Sequence, residues 1–298
     1  MNTAQRQFSL HGETSRRRFP SNSLVSLLAL AAMCAASAAS PGEAVSAAAK
    51  TPAGRQYFFA FGKAAPGNPP VMTMRAAKAI EGVEKGINAE GNFHLEILTD
   101  PKAIHNDSIT ARLRSYRQEL ASQDRIILYW HVHGTSKGLV LNYDQPQRKP
   151  LPWRDVVSAI LDLPAREVIV LAMSCHSGCL IEELDARKAA FEGRVREGRT
   201  FFVMASCRTN QLSGAAADPA VGNCFGYAIS EALQGKADGY GESAAADGKI
   251  TIKEFADFVQ ARTMELSPDR NKHSPVFTGS YQPEFVLKTL APAPASSK

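Results

Sequence analysis

Four short runs, apolar at nearly every position, constrain this chain more than any other feature. They are Gln56–Phe61 (QYFFAF), Arg125–His133 (RIILYWHVH), Glu167–Cys175 (EVIVLAMSC) and Thr200–Cys207 (TFFVMASC). A strand covered on one face alternates apolar and polar residues, whereas a run without alternation fits a strand covered on both faces. Segments of helical periodicity separate or follow these runs. Helices are predicted at Met74–Ile87, Ile109–Ala121, Pro152–Leu161, Ile181–Phe191, Asn223–Leu233 and Ile252–Met264. Asp107 or Ser108 is the expected cap of the second, and Pro152 sits in the first turn of the third. An alternating strand is predicted at Phe93–Leu98, with short strands at Gly138–Asn142 and Pro275–Gly279. Strands separated by helices give the α/β class: an α/β/α sandwich around a mainly parallel sheet of about six strands.

The first forty residues follow another logic. Ser15-Arg16-Arg17-Arg18-Phe19 precedes an apolar stretch, Leu24 to Ala39, that ends among small residues such as Ala36-Ser37-Ala38. Residues 1–40 are therefore expected to be an export signal. The Ser-Arg-Arg-x-Phe order resembles a twin-arginine signal, while Pro20 departs from that pattern and leaves a general secretory signal equally open. An uncleaved anchor is a third option, because the stretch is nearly the ~20 residues that span a bilayer. It would be the chain's only membrane contact. Met33 is too large for lipoprotein processing at Cys34. Residues 41–54 read as an Ala-rich linker, 55–290 as the folded domain, and 291–298 as a disordered tail. The expected location is the periplasm or cell envelope of a bacterium.

Composition narrows function by exclusion. The formal net charge is +5; without the signal it is about +2, too small for a nucleic-acid footprint. Five cysteines are too few for a disulfide scaffold.

The chemistry gathers at strand ends. Three apolar strands end in His133-Gly134, Cys175-His176-Ser177-Gly178 and Cys207. Ligands in open α/β sheets bind beyond the carboxyl ends of the strands, so these residues are expected on one rim. A thiol is the strongest ordinary nucleophile, and an imidazole can take its proton and return it to a leaving amine. The glycines are expected to let a substrate approach the backbone, with the amides of Gly134 and Cys175 as oxyanion donors.

At these residues the chain resembles a known family. Tyr129-Trp130-His131-Val132-His133-Gly134 followed by Met173-Ser174-Cys175-His176-Ser177-Gly178 resembles the caspase-like cysteine peptidases, the clan of caspases, metacaspases and legumains. Ser-Cys-His-Ser-Gly is similar to the metacaspase form, and His133–Val140 (HGTSKGLV) to the legumain form. The likeness continues through Ala205-Ser206-Cys207, the Phe225–Leu233 helix and Asp247–Thr251, and covers about Tyr57 to Ser280. It implies a caspase-like sandwich and a cysteine endopeptidase that needs no cofactor or metal and acts on a protein or peptide. The family's dyad falls on His133 and Cys175. Metacaspases and legumains carry an acid where this chain has Met173, two residues before the nucleophile and on the same strand face. The expected pocket, lined by Met173, Ser206 and Asp218, therefore takes an uncharged residue before the scissile bond unless Asp218 restores the charge. Two other functions stay open: a catalytically silent caspase-fold binding or scaffold protein, and a legumain-like transpeptidase.

Other residues carry competing roles. His131 is a rival base, but its deeper position predicts a hydrogen-bonded core histidine, and His176 is expected on the loop surface. A metal site from His131, His133, Cys175 and Cys207 matches no common zinc spacing. Disulfides among Cys179, Cys207 and Cys224, or between Cys175 and Cys207, stay open. Ser243–Glu254 (SAAADGKITIKE) imitates half a calcium loop, but Ser243 and Ala245 stand where carboxylates belong. A turn feeding a helix capped by Thr251 is expected instead.

Overall fold

The computed structural model describes residues 54–63, 70–142, 149–189, 192, 198–216, 218, 221–241, 246–268 and 273–291. The chain divides into two units, Met1–Ala49 and Lys50–Lys298, and every described residue belongs to the second. The expected export signal, nearly all of the linker and nearly all of the tail lie outside the described residues. Among the described residues no helix is long and apolar enough to cross a membrane.

The apolar runs form the centre of a six-stranded sheet. The strands are β1 (Gln56–Gly62), β2 (Phe93–Leu98), β3 (Arg125–His131), β7 (Glu167–Met173), β8 (Thr200–Ala205) and β10 (Val276–Ser280). Their order is β10-β8-β7-β3-β1-β2, parallel throughout except for β10, which runs antiparallel to β8. The lack of alternation is explained by burial on both faces. Phe59, Trp130, Val170 and Val203 pack against α2 (Asn106–Glu119), α3 (Trp153–Leu161) and α4 (Gly178–Asp185). Phe58, Tyr129, Leu171 and Phe202 pack against α1 (Pro70–Ile87), α5 (Cys224–Glu231) and α6 (Ile252–Leu266). Each large apolar side chain so buried contributes about 1.5–3 kcal/mol. The result is a mixed α/β fold with helices on both faces of a mostly parallel sheet.

Local departures have identifiable causes. The run Arg125–His133 is not one strand. After the Val132 amide donates to the Met173 carbonyl (3.2 Å), the chain leaves the sheet. His133–Thr135 becomes β4 and folds back on β5 (Gly138–Val140), which pairs with β6 (Leu151–Pro152). Thr135 Oγ1 accepts from the Lys137 amide (3.2 Å) to close the turn, and Trp153 Nε1 anchors it on the Thr135 carbonyl (2.9 Å). The cap of α2 is His105, not Asp107 or Ser108. His105 Nδ1 accepts from the Ser108 amide, and Ser108 Oγ accepts from the His105 amide, a reciprocal pair that places Ser108 inside the helix. Helix α4 starts three residues before its predicted start, directly after the Cys175 turn. Two strands without sequence forecast, β9 (Lys249–Thr251) and β11 (Val286–Thr289), pair antiparallel, and a π-turn (Ala232–Lys236) follows α5.

Candidate active site

Parallel register brings the two motifs together. His131 lies opposite Met173 in the β3–β7 pair, so the residues that leave these strands, His133-Gly134 and Ser174-Cys175, emerge side by side at the carboxyl rim. Gly134 seals the contact. A Cβ built there would lie 2.3 Å from the Cys175 carbonyl oxygen and 3.0 Å from Ser174 Cβ. The glycine was expected to admit a substrate; it admits the backbone of Cys175 instead.

The turn after β7 is held in an uncommon geometry. His176 has φ 56°, the only positive value at a non-glycine residue among those described. Such a residue costs of order 1–3 kcal/mol and persists only where its surroundings fix it. Here its amide donates to the Gln211 carbonyl (2.9 Å) and its Nδ1 meets the Thr209 carbonyl (2.8 Å). Gly178 permits the same approach, since a Cβ would lie 2.3 Å from the Thr209 amide nitrogen. His176 is thus a clamp between the turn and the segment after β8, not the surface residue expected.

Beneath the turn lies a hydroxyl and thiol network. Ser206, fully buried, donates to the Ser174 carbonyl (3.2 Å), and its hydroxyl meets that of Ser177 (3.2 Å). The Cys207 thiol, also buried, donates to the Ser174 carbonyl (3.4 Å) and the Gln211 carbonyl (3.4 Å). Ser206 therefore braces the rim from below rather than lining an open pocket, because its hydroxyl is committed to the Cys175 turn.

The protonation states follow from burial. Cys175 is partly buried, and its thiol donates to the Ser213 carbonyl at 3.7 Å. Burial pushes that thiol above its ordinary value and the His133 imidazole below its own. At neutral pH the resting groups are a thiol and a neutral imidazole. His131 is pushed down to about 4, first by burial and then by His133. Its buried Nδ1 has no hydrogen-bond partner, so the expectation of a hydrogen-bonded core histidine is corrected. The register sets His131 beside Met173 on the neighbouring strand, a side chain with no strong hydrogen-bonding group.

The remaining candidates are scattered. Met173 is 7% exposed and packs in the apolar layer with Phe225 and Ile80. Asp218 is exposed, and its carbonyl accepts from the Val221 amide (3.1 Å). Cys175, Cys179, Cys207 and Cys224 are free thiols, so the disulfides left open among them are not formed. Among the described residues no three His, Cys, Asp or Glu side chains gather as a metal site would require. Ser243 and Ala245 of the calcium-like segment lie outside the described residues, while Thr251 caps α6 with Glu254 as reciprocal partner.

Two residues had no sequence signal. His273, 2% exposed, places its Nε2 3.1 Å from the Ser213 hydroxyl, beside the carbonyl that receives the Cys175 thiol. Sixty residues separate the pair in sequence, and neither sits in a motif. Compared with protein families and with curated proteins, the chain matches no family model and no curated protein.

Proposed function

We propose that the protein is an exported cysteine endopeptidase of the caspase-like type, working through Cys175 and His133 in the periplasm or cell envelope. The observation that carries this reading is the packing of Gly134 on the Cys175 peptide, which joins a strand-end histidine to a strand-end thiol across neighbouring parallel strands. The strained His176 turn and the unpartnered His131 Nδ1 and Ser174 Oγ support the same reading, since backbone strain and unmatched polar groups collect at functional sites.

In this mechanism Cys175 Sγ attacks the scissile carbonyl carbon while its proton passes to His133. The carbonyl oxygen gains charge and receives the amides of Gly134 and Cys175. Collapse expels the amine, which takes the proton from His133. Water, deprotonated by His133, then cleaves the thioester and restores the thiol. The resting pair is neutral, so the proton moves only as attack proceeds. The partner is a protein or peptide, and the scheme uses no cofactor.

An apolar Met173 gives a basic side chain no carboxylate to pair with. A hydrogen bond to a charged group is worth roughly 1.5–3 kcal/mol, so cleavage after uncharged residues is expected to exceed cleavage after Arg by about ten- to a hundredfold. The test is a peptide-library profile with the mature protein and Cys175→Ala as control. Cleavage that survives Cys175→Ala would end the proposal. Strong cleavage after Arg that disappears in Asp218→Ala would place the pocket charge on Asp218.

A further inference from the structure

The segment that carries His273 is tied to the nucleophile turn at two points. Ser274 donates its amide to the side-chain oxygen of Gln211 (3.1 Å), and the Gln211 carbonyl receives the His176 amide (2.9 Å). Next to it, His273 Nε2 meets the Ser213 hydroxyl (3.1 Å), and the Ser213 carbonyl receives the Cys175 thiol (3.7 Å). His273 is buried and its Nδ1 has no partner. Gly214 faces the same ring, with Nδ1 the nearest atom, at 4.0 Å, to a Cβ built there. An apolar side chain would fill this place without leaving a nitrogen unmatched. A histidine here is favoured only for the bond it makes, and that bond goes to the residue whose carbonyl holds the thiol.

We propose that His273 is a positioning residue: through Ser213 it fixes the loop carbonyl that sets the rotamer of the Cys175 thiol. The inference rests on Cys175 being the reacting nucleophile. A thiol held on one carbonyl has one starting direction, and attack on a bound carbonyl carbon needs the sulfur within about 3–3.5 Å of the carbon and aligned with the carbonyl's antibonding π orbital. With the loop released, the sulfur samples other rotamers, which loosens the attack geometry while substrate contacts elsewhere persist. The role is therefore in the chemical step and not in binding.

The test reads thiol reactivity directly. Alkylation of Cys175 in the full-length protein by iodoacetamide is followed by peptide mapping, which separates it from Cys34, Cys179, Cys207 and Cys224. Ser213→Ala and His273→Leu should both raise the rate by at least about threefold, because a sulfur freed from its carbonyl is more accessible. His273→Gln, whose amide can still meet the Ser213 hydroxyl, should stay near the wild-type rate. In Ser213→Ala and His273→Leu, but not in His273→Gln, kcat for peptide hydrolysis should fall about tenfold with KM nearly unchanged. Wild-type alkylation rates in Ser213→Ala and His273→Leu would overturn the inference, as would the same increase in His273→Gln. Should His273→Leu fail to fold, Ser213→Ala alone decides. Absence of peptide cleavage in the wild type as well as in every variant would count against the peptidase proposal only, since alkylation does not depend on it.

Discussion

Two regions of this molecule handle buried polar groups in opposite ways. In the turn before α6, every carboxylate oxygen that the turn uses is matched. Asp238 accepts the amides of Asp247 and Gly248, both at 3.0 Å, and Glu254 accepts those of Gly239 (3.0 Å) and Thr251 (2.8 Å) and the Thr251 hydroxyl (2.9 Å). At the carboxyl rim of the sheet, His131 Nδ1, Ser174 Oγ and His273 Nδ1 are buried without partners, and His176 is held in the left-handed region. The first region resembles a ligand loop in sequence, yet its acids serve its own backbone. The second retains unmatched groups that a purely structural end of a sheet would remove, the expected mark of a site kept for chemistry.

The sharpest way to break this contrast is to separate the two rim histidines. His133→Ala should lower kcat/KM by about a thousandfold or more, because a nucleophile and its proton partner act as a unit. His131→Ala should lower it less than about tenfold, since His131 lies within the sheet, two residues before the rim. An inactive His131→Ala with an active His133→Ala would exchange their roles.

Acid should weaken the rim selectively. Burial holds both His131 and His273 down at about 4 in the folded state. The unfolded chain titrates near 6.5, so between pH 6.5 and 4 it binds more protons than the folded chain. The stability from these neutral rings is complete above pH 6.5 and is lost as pH falls toward 4. By pH 4.5 each accounts for roughly 2.5 kcal/mol. Urea unfolding at pH 7 and 4.5 should show that loss, and His273→Gln should remove its share; an unchanged pH slope in that variant would contradict the assignment.

The smallest effect belongs to the matched turn. Glu254→Ala removes three accepted hydrogen bonds, among them the reciprocal half of the α6 capping box, and should cost about 2 kcal/mol by chemical unfolding. The alkylation rate of Cys175 should not change. Chelators should likewise leave peptidase activity within about twofold, because losing the carboxylates at Ser243 and Ala245 leaves too few oxygens for calcium. A calcium requirement would show that this turn is not purely structural.

The sequence by itself determined the layers. Runs such as Phe58–Phe61 and Val168–Ala172 without polar interruption can only be strands buried on both faces, and the helical periods between them demand a parallel order. It also determined which strands lead into His133 and Cys175, because apolar runs stop there, although β3 and β7 themselves end two residues earlier, at His131 and Met173. Tertiary structure decided the rest. The division of Arg125–His133 at Val132 depends on pairing with Gly138–Val140, and the true partner of Gly134 is the Cys175 backbone across the sheet. His105 displaced Asp107 as the α2 cap because a ring nitrogen reached the Ser108 amide, a geometry residue preferences do not encode. The Ser213–His273 contact was the least legible. It joins residues sixty positions apart, and local periodicity carries no information about a bond that forms only after the sheet and its loops have closed.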